Sequence, residues 1–388
     1  MKKVIVLFMF ALVCVSTLFV SAKSCYAETT FPNFNNKAYV LVDKSNGEVL
    51  LEKNSHQKMQ VASICKLMTT LITLENIDEG KLSLDDKVVA SEYACSMEGS
   101  QAFLDAGSEY KVSDLLKSVI VASANDSAVV LAEHIGGSES EFTRLMNERA
   151  KGLGMTETVY ANSTGLPSPN QYSTAYDTTL ILRELNNFET YKNDCKIWMD
   201  DFVHPSGRVT QLVNTNRLVK YYAPCVSGKT GFTDEAGYCL SACASKNNMD
   251  LVAVVLGCKD SASRFSECMD ILNYGFAHYE IAKIIDANDE IANKVSVSKG
   301  KENYLPIKYA NDFYVLKERG NDSQITTNIT LSETVKAPIS AGDIVGEVTI
   351  SKNGVVVGKV NIVASENVDK QTYKDVLERL NDNWKLFA

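Results

Sequence analysis

The sequence predicts an α/β (α+β) unit with an antiparallel sheet and a helical cluster, followed by a small all-β domain. Strand-like runs stand on both sides of a helix-rich middle, and past about residue 286 short strands and turns replace helical periodicity. Ala38 to Val42 and Val49 to Glu52 are apolar runs flanking Asp43, Lys44, Ser45, Asn46 and Gly47, which is hairpin-turn chemistry. From Ser63, apolar residues fall at Ile64, Leu67, Met68, Leu71 and Ile72, one face of a helix. Ala62, Cys65 and Thr69 leave its other sides nearly apolar, so this helix is expected at the centre of the fold.

Helical patterns recur around Val112 to Ile135 and Glu139 to Leu153, closed by Gly136 and Gly137 and by Gly154. Tyr238 to Ala244 and Leu251 to Leu256 read as strands joined by the polar turn Ser245 to Asn248. A helix is expected to end near Ile285, and Ile344 to Ile350 with Val355 to Val363 form a hairpin around Asn353 and Gly354 in the all-β part. The last stretch puts Tyr373, Val376, Leu377, Leu380, Trp384 and Phe387 on one helical face. The expected division is 1–27 as a signal peptide, 28–286 as the α/β unit, 287–368 as a β-sandwich-like domain and 369–388 as an amphipathic helix.

A chain of 388 residues, 45% apolar, has enough material for two cores. Its net charge of −9, with no dense Lys/Arg run, argues against nucleic acid as a partner. Lys2 and Lys3 precede an apolar-dominated run from Val4 to Val20, and Cys25, Tyr26 and Ala27 supply a cleavage site, so the mature chain is expected to begin near Glu28. A retained membrane anchor is the alternative, and either reading exports the body. Lys23 stands where a lipid-anchoring signal at Cys25 would want a small residue. Eight cysteines follow Cys25, and their spacing suggests no disulfide framework, leaving free buried thiols and one or two bridges both open.

Ser63 and Lys66 stand one helical turn apart, so an amine reaches a hydroxyl on the same face. The spacing recurs at Ser55 with Lys58 and at Ser296 with Lys299; what sets Ser63 apart is its place at the mouth of an apolar helix, where desolvation disfavours ammonium and leaves Lys66 able to take a proton. The plain alternative is a capping serine followed by a snorkelling lysine. Ser123 and Asn125 interrupt an apolar stretch, where polar groups need a reason, though a cap at a helix break would supply one. Lys229, Thr230 and Gly231 follow Gly228 ahead of a strand pair, and glycines on a strand edge admit close approach of another backbone.

Taken together and in this order, these three elements resemble the set shared by class A β-lactamases and penicillin-binding proteins. The surrounding text is similar to low-molecular-mass serine D-alanyl-D-alanine carboxypeptidases: VASICKLMT, SMEGSQAFL, ASANDSAVVLAEHIGG, ANSTGLP, SGKTGFTDEAGYCL and, in the β domain, APISAGDIVGEV. The resemblance implies a β-lactamase/transpeptidase-like fold and removal of the terminal D-alanine from peptidoglycan stem peptides through an acyl-enzyme on Ser63. It implies Lys66 as general base, Ser123 as proton relay, Asn125 holding the substrate amide and Lys229 lending charge near Ser123. Thr230 and Gly231 would line the strand that receives the peptide, the backbone N–H groups of Ser63 and Phe232 would form an oxyanion hole, and Arg264 and Arg217 would serve the carboxylate pocket. β-Lactams are implied as inhibitors, and neither a metal nor another cofactor is. Cys65 and Tyr176 depart from residues usual in the family, and Cys65 is expected to pack inward rather than act as a nucleophile.

Other readings make other demands. A zinc peptidase would want paired ligands, which His56, His134, His204 and His278 do not supply by spacing, and an esterase-like hydrolase would want GxSxG. A β-lactamase needs a further water-activating carboxylate, and a non-catalytic penicillin-binding wall protein would keep the fold alone. The C-terminal helix reads either as a membrane-surface helix or as a packing helix, since Lys370, Lys374, Arg379 and Lys385 are nearly balanced by Asp375, Glu378 and Asp382.

Overall fold

The structure, a computed structural model, describes residues 34–385 apart from 290, 323 and 324. The signal-peptide reading lies outside the described residues. The expected opening hairpin is present as Ala38–Asp43 and Val49–Lys53, with Tyr39 opposite Lys53. Three later strands, Cys225–Thr233, Gly237–Lys246 and Met249–Cys258, form an antiparallel meander whose last member pairs with Ala38–Asp43. The resulting five-stranded sheet has Val49–Lys53 at one edge and Cys225–Thr233 at the other.

Alternation along the central strands explains why both sheet faces are covered. Val40, Val42, Val252 and Val254 point into the large core shared with the helical cluster. Leu41 and Leu251, on the opposite parity, meet Gly275 of the helix Ser261–His278, where a Cβ would come within 2.5 Å of the Leu251 side chain. A strand buried along its whole length follows from this two-sided packing, and Ala38–Asp43 is buried throughout.

The helix Lys66–Asp78 is central, as its apolar sides require: every residue from Lys66 to Leu74 is buried. A 3-10 turn, Ala62–Cys65, leads into it. The expected helical stretch from Val112 to Ile135 is two helices, Val112–Val121 and Asn125–Gly136, broken where Ser123 takes a left-handed φ of 64°. Glu139–Gly152 forms as expected, with the Ser138 hydroxyl accepting from the Glu141 amide as its cap.

One boundary differs. The helix expected to reach Ile285 ends at His278, and Tyr279–Ile285 is a strand paired with Phe313–Glu318. Its isoleucines suit either structure, and the partner strand decides. The all-β part then builds a four-stranded sheet that includes the predicted hairpin, Ile344–Lys352 with Val355–Ala364, turning through Asn353 and Gly354 at positive φ. Val348, Ile350, Ile362 and Ala364 are fully buried in its core. Lys352, itself buried, donates to both carboxylate oxygens of Glu48, at 2.7 and 2.9 Å, and to the Leu316 carbonyl. The last element among the described residues is the helix Tyr373–Lys385.

All eight cysteines after Cys25 are free thiols, which settles the alternative the sequence left open. Cys65 does pack inward: it is buried, its Sγ donates to the Asn162 carbonyl, and burial pushes the thiol up to about 12, far from the range of a thiolate nucleophile.

Candidate active site

The 3-10 turn sets the first pair. Ala62 takes a left-handed φ of 51°, a strained state for a residue with a Cβ, and the chain tightens through Ser63 before the α-helix begins at Lys66. The Lys66 Nζ then lies 2.9 Å from the Ser63 Oγ and donates to the Thr164 carbonyl at 2.6 Å. Burial lowers the Lys66 amine from its ordinary 10.5 to about 7, opposed more weakly by Cys65 and Asp126. An amine so poised has a lone pair at neutral pH for the hydroxyl beside it.

The break between helices supplies the second pair. Ser123, turned inward by its left-handed backbone, places its Oγ 2.7 Å from the Lys229 Nζ, which comes from the edge strand Cys225–Thr233. Burial, then the charges of Lys66 and Arg264, hold the Lys229 amine well below its ordinary range. Two amines, from the central helix and from the sheet edge, thus each meet a serine hydroxyl in the same water-poor region.

Asn125 opens the following helix and its Nδ2 donates to the Glu98 carbonyl at 2.5 Å, while its Oδ1 is buried without a partner. An orphaned acceptor in such a place costs roughly 1–3 kcal/mol unless something donates to it, so a bound N–H is the natural complement. The neighbouring Asp126 holds the same loop, its carboxylate accepting from the Ala102 and Leu104 amides at 3.0 and 3.1 Å.

These groups face a cleft of about 410 Å³ lined by Ser63, Ser123, Asn125, Thr230, Gly231, Phe232 and Arg264, among others. Lys66 and Lys229 lie beneath that lining, in contact with it through the two serines. Two glycines make the closure possible. A Cβ on Gly231 would meet the Val61 carbonyl at 2.5 Å, and one on Gly165, at φ +82°, would collide with the Ala62 carbonyl. The edge strand and the loop after Ser163 can therefore close on the Ser63 turn only because both positions lack side chains.

At the far end of the cleft the Thr230 hydroxyl donates to the Thr215 hydroxyl at 2.7 Å, and Arg264 donates to the Gly231 carbonyl at 3.1 Å. The Arg264 Nε is buried without a partner. Arg217 does not line this cleft; it lines an adjoining cavity that shares Thr215 and Arg264. Tyr176 also lies outside the cleft, its ring 4.8 Å from that of His56.

Sequence reasoning missed the Thr164 carbonyl, Thr215, the Glu98 carbonyl and Asp126. Asp126 carried a signal, a carboxylate at the start of an apolar helix, next to Asn125. The others contribute backbone oxygens or a common hydroxyl, and no residue pattern marks those.

With this geometry in hand, comparison with known proteins is specific. Residues 26–260 match the family model described as D-alanyl-D-alanine carboxypeptidase, and residues 279–370 match the one described as penicillin-binding protein 5, C-terminal domain. The chain is 37% identical over 353 residues to D-alanyl-D-alanine carboxypeptidase DacF of Bacillus subtilis, covering 90% of each chain. It is 31% identical over 368 residues to D-alanyl-D-alanine carboxypeptidase DacA of Haemophilus influenzae, covering 93% of this chain and 92% of that one. The solved structure of penicillin binding protein 5 from Haemophilus influenzae superposes with a TM-score of 0.69 at 30% identity, over 87% of this chain and 99% of that one.

Proposed function

We propose, for a chain that belongs to the D-alanyl-D-alanine carboxypeptidase family, that Ser63 is its nucleophile and that Lys66 is the base that activates it. The chain is a serine-type D-Ala-D-Ala carboxypeptidase with an α+β transpeptidase-like core and a C-terminal all-β domain. Its substrate is the peptidoglycan stem peptide, and β-lactams are its inhibitors. The observation that carries the residue assignment is the 2.9 Å contact between the Ser63 hydroxyl and a buried amine whose proton affinity is lowered to about 7.

In this mechanism the neutral Lys66 amine takes the Ser63 proton as Oγ attacks the carbonyl of the penultimate D-alanine. Negative charge then develops on that carbonyl oxygen, and the backbone N–H groups of Ser63 and Phe232 meet it, each such donor contributing about 3–4 kcal/mol. Ser123, hydrogen-bonded to Lys229, passes its proton to the departing amine and regains one from the Lys66 ammonium, which leaves Lys66 neutral for the next step. Asn125 receives the peptide N–H at its unpartnered Oδ1, Thr230 and Arg264 receive the terminal carboxylate, and Gly231 lets the peptide lie along the strand edge. Water then attacks the acyl-enzyme, with Lys66 again as base.

None of the residues lining the cleft carries a carboxylate. The extra acid that rapid β-lactam turnover requires has no counterpart there, which favours the carboxypeptidase reading over a β-lactamase.

The body is exported by residues 1–27 and works outside the cytoplasmic membrane, on the reading given by the leader. Residues 28–286 carry the chemistry and 287–368 the β domain. The C-terminal helix has Tyr373 and Leu377 exposed, as a membrane-surface helix would, and no helix among the described residues is long and apolar enough to cross a membrane.

The assay is release of free alanine from an acylated peptide ending in D-Ala-D-Ala. The expected result is turnover of that peptide and none of the same peptide ending in L-Ala-L-Ala; equal turnover of both, or of neither, would reject the assignment.

A further inference from the structure

The cavity adjoining the catalytic cleft, about 640 Å³, has a chemical character of its own. It shares Thr215 and Arg264 with the cleft, so it begins where the cleft's carboxylate end stops. Trp198 and Tyr221 line it as an aromatic wall, their rings edge to face at 6.3 Å. Lys220 sits over both rings, its Nζ 4.9 Å from the centre of the first and 5.6 Å from that of the second. Arg217 projects into the same space, and its guanidinium lies 6.0 Å from the Phe265 ring that Arg264 also contacts at 4.8 Å.

Among the described residues, none of Arg217, Lys220 and Arg264 is ion-paired, and no carboxylate lines the cavity. In a chain of net charge −9 this is an unneutralised cationic corner. Two guanidinium groups beside one ring repel each other, and an anion between them relieves that repulsion. The α-carboxylate of a departing D-alanine occupies the shared wall at Thr230 and Arg264, on the reading given above, and its methyl group is far too small to fill the space beyond. Arg217 is then left facing a volume that D-alanine does not use, with the Lys220 charge held against the aromatic residues that wall it.

We infer that this second cavity is a subsite for the side chain of the released residue, and that it selects a side chain ending in a carboxylate. The inference rests on the carboxypeptidase reading. The reaction is unchanged: the same amide bond is hydrolysed, and beside D-alanine the enzyme also releases an amino acid that bears a second acid group. Electrostatic attraction from Arg217, which lines the cavity, reinforced by Lys220 over its aromatic wall, favours the anionic leaving residue over a neutral one of the same size, while the aromatic wall packs against its methylenes.

The test uses the purified protein and three peptides that differ only in the last residue: D-alanine, D-glutamate and D-glutamine. The wild-type kcat/KM is expected to be at least about tenfold higher for D-glutamate than for its neutral isostere. Lys220→Glu is expected to lower kcat/KM for D-glutamate about tenfold or more while changing D-alanine release by less than about twofold. Tyr221→Ala, at an exposed position, is the second variant and should lower use of both larger residues while sparing D-alanine. Equal handling of D-glutamate and D-glutamine by the wild type, or a parallel loss on all three peptides in Lys220→Glu, overturns the subsite. Failure to cleave the D-alanine peptide at all is the distinct result that removes the carboxypeptidase reading beneath it.

Discussion

Ser63→Ala lowers release of D-alanine from a peptide ending in D-Ala-D-Ala by at least roughly a thousandfold, with the thermal midpoint little changed. The size of the loss follows from chemistry. The Ser123 Oγ also meets an amine, that of Lys229, but in this mechanism it hands its proton to the departing amine and does not attack the carbonyl. Cys65, two residues on, is no substitute, since its thiol is pushed up to about 12 and its Sγ is turned to the Asn162 carbonyl. The stability half of the prediction follows from packing. Ser63 is only partly buried and alanine keeps its Cβ, so the turn Ala62–Cys65 loses one hydrogen bond from Lys66, which retains its bond to the Thr164 carbonyl. Circular dichroism melts beside a D-alanine release assay check both halves; retained release contradicts the assignment.

Lys66→Met is expected to lower the rate of Ser63 acylation by a similar factor, roughly a thousandfold, because it removes the base while keeping the length and apolar stem of the side chain. The wild-type pH profile carries the sign. Burial lowers the Lys66 amine to about 7, so below that pH it is ammonium and has no lone pair to accept the Ser63 proton. Acylation should therefore climb as pH rises from 5 and level off above about 7. A lysine at its ordinary 10.5 would push the rise beyond pH 9. Stopped-flow acylation with a chromogenic β-lactam between pH 5 and 9 separates these cases, and Lys66→Arg, whose guanidinium stays charged throughout, should be as slow as Lys66→Met.

What the sequence revealed and what it hid divide along physical lines. The spacing of Ser63 and Lys66 puts two side chains on one face only where the chain is helical; the same spacing falls in a turn at Ser55 with Lys58 and runs from a strand into a turn at Ser296 with Lys299. The outcome differs by burial: Lys66 is fully buried, whereas Lys58 and Lys299 are exposed. The apolar sides of the helix that follows Ser63 were the legible sign of that difference. The break at Ser123 was legible as polarity inside an apolar run, but not as the left-handed φ that aims its hydroxyl at Lys229.

Nonlocal partners account for the rest. The Thr164 carbonyl meets Lys66 across 98 residues, and a backbone oxygen leaves no mark in the side-chain pattern. The stretch Tyr279–Ile285 alternates well enough for either helix or strand, and pairing with Phe313–Glu318 made the choice. Arg217 followed the family resemblance into the right neighbourhood, but it lines the cavity behind the shared wall of Thr215 and Arg264 instead of the cleft. That displacement gives the second cavity its unpaired charge.

The most direct test of the central claim is to trap the covalent intermediate and locate it. After brief exposure to benzylpenicillin, intact mass spectrometry should show one adduct per chain, and peptide mapping should place it on Ser63, decaying slowly because no carboxylate lines the cleft. An adduct on any other residue, or none on Ser63 while D-alanine is still released, would contradict the account.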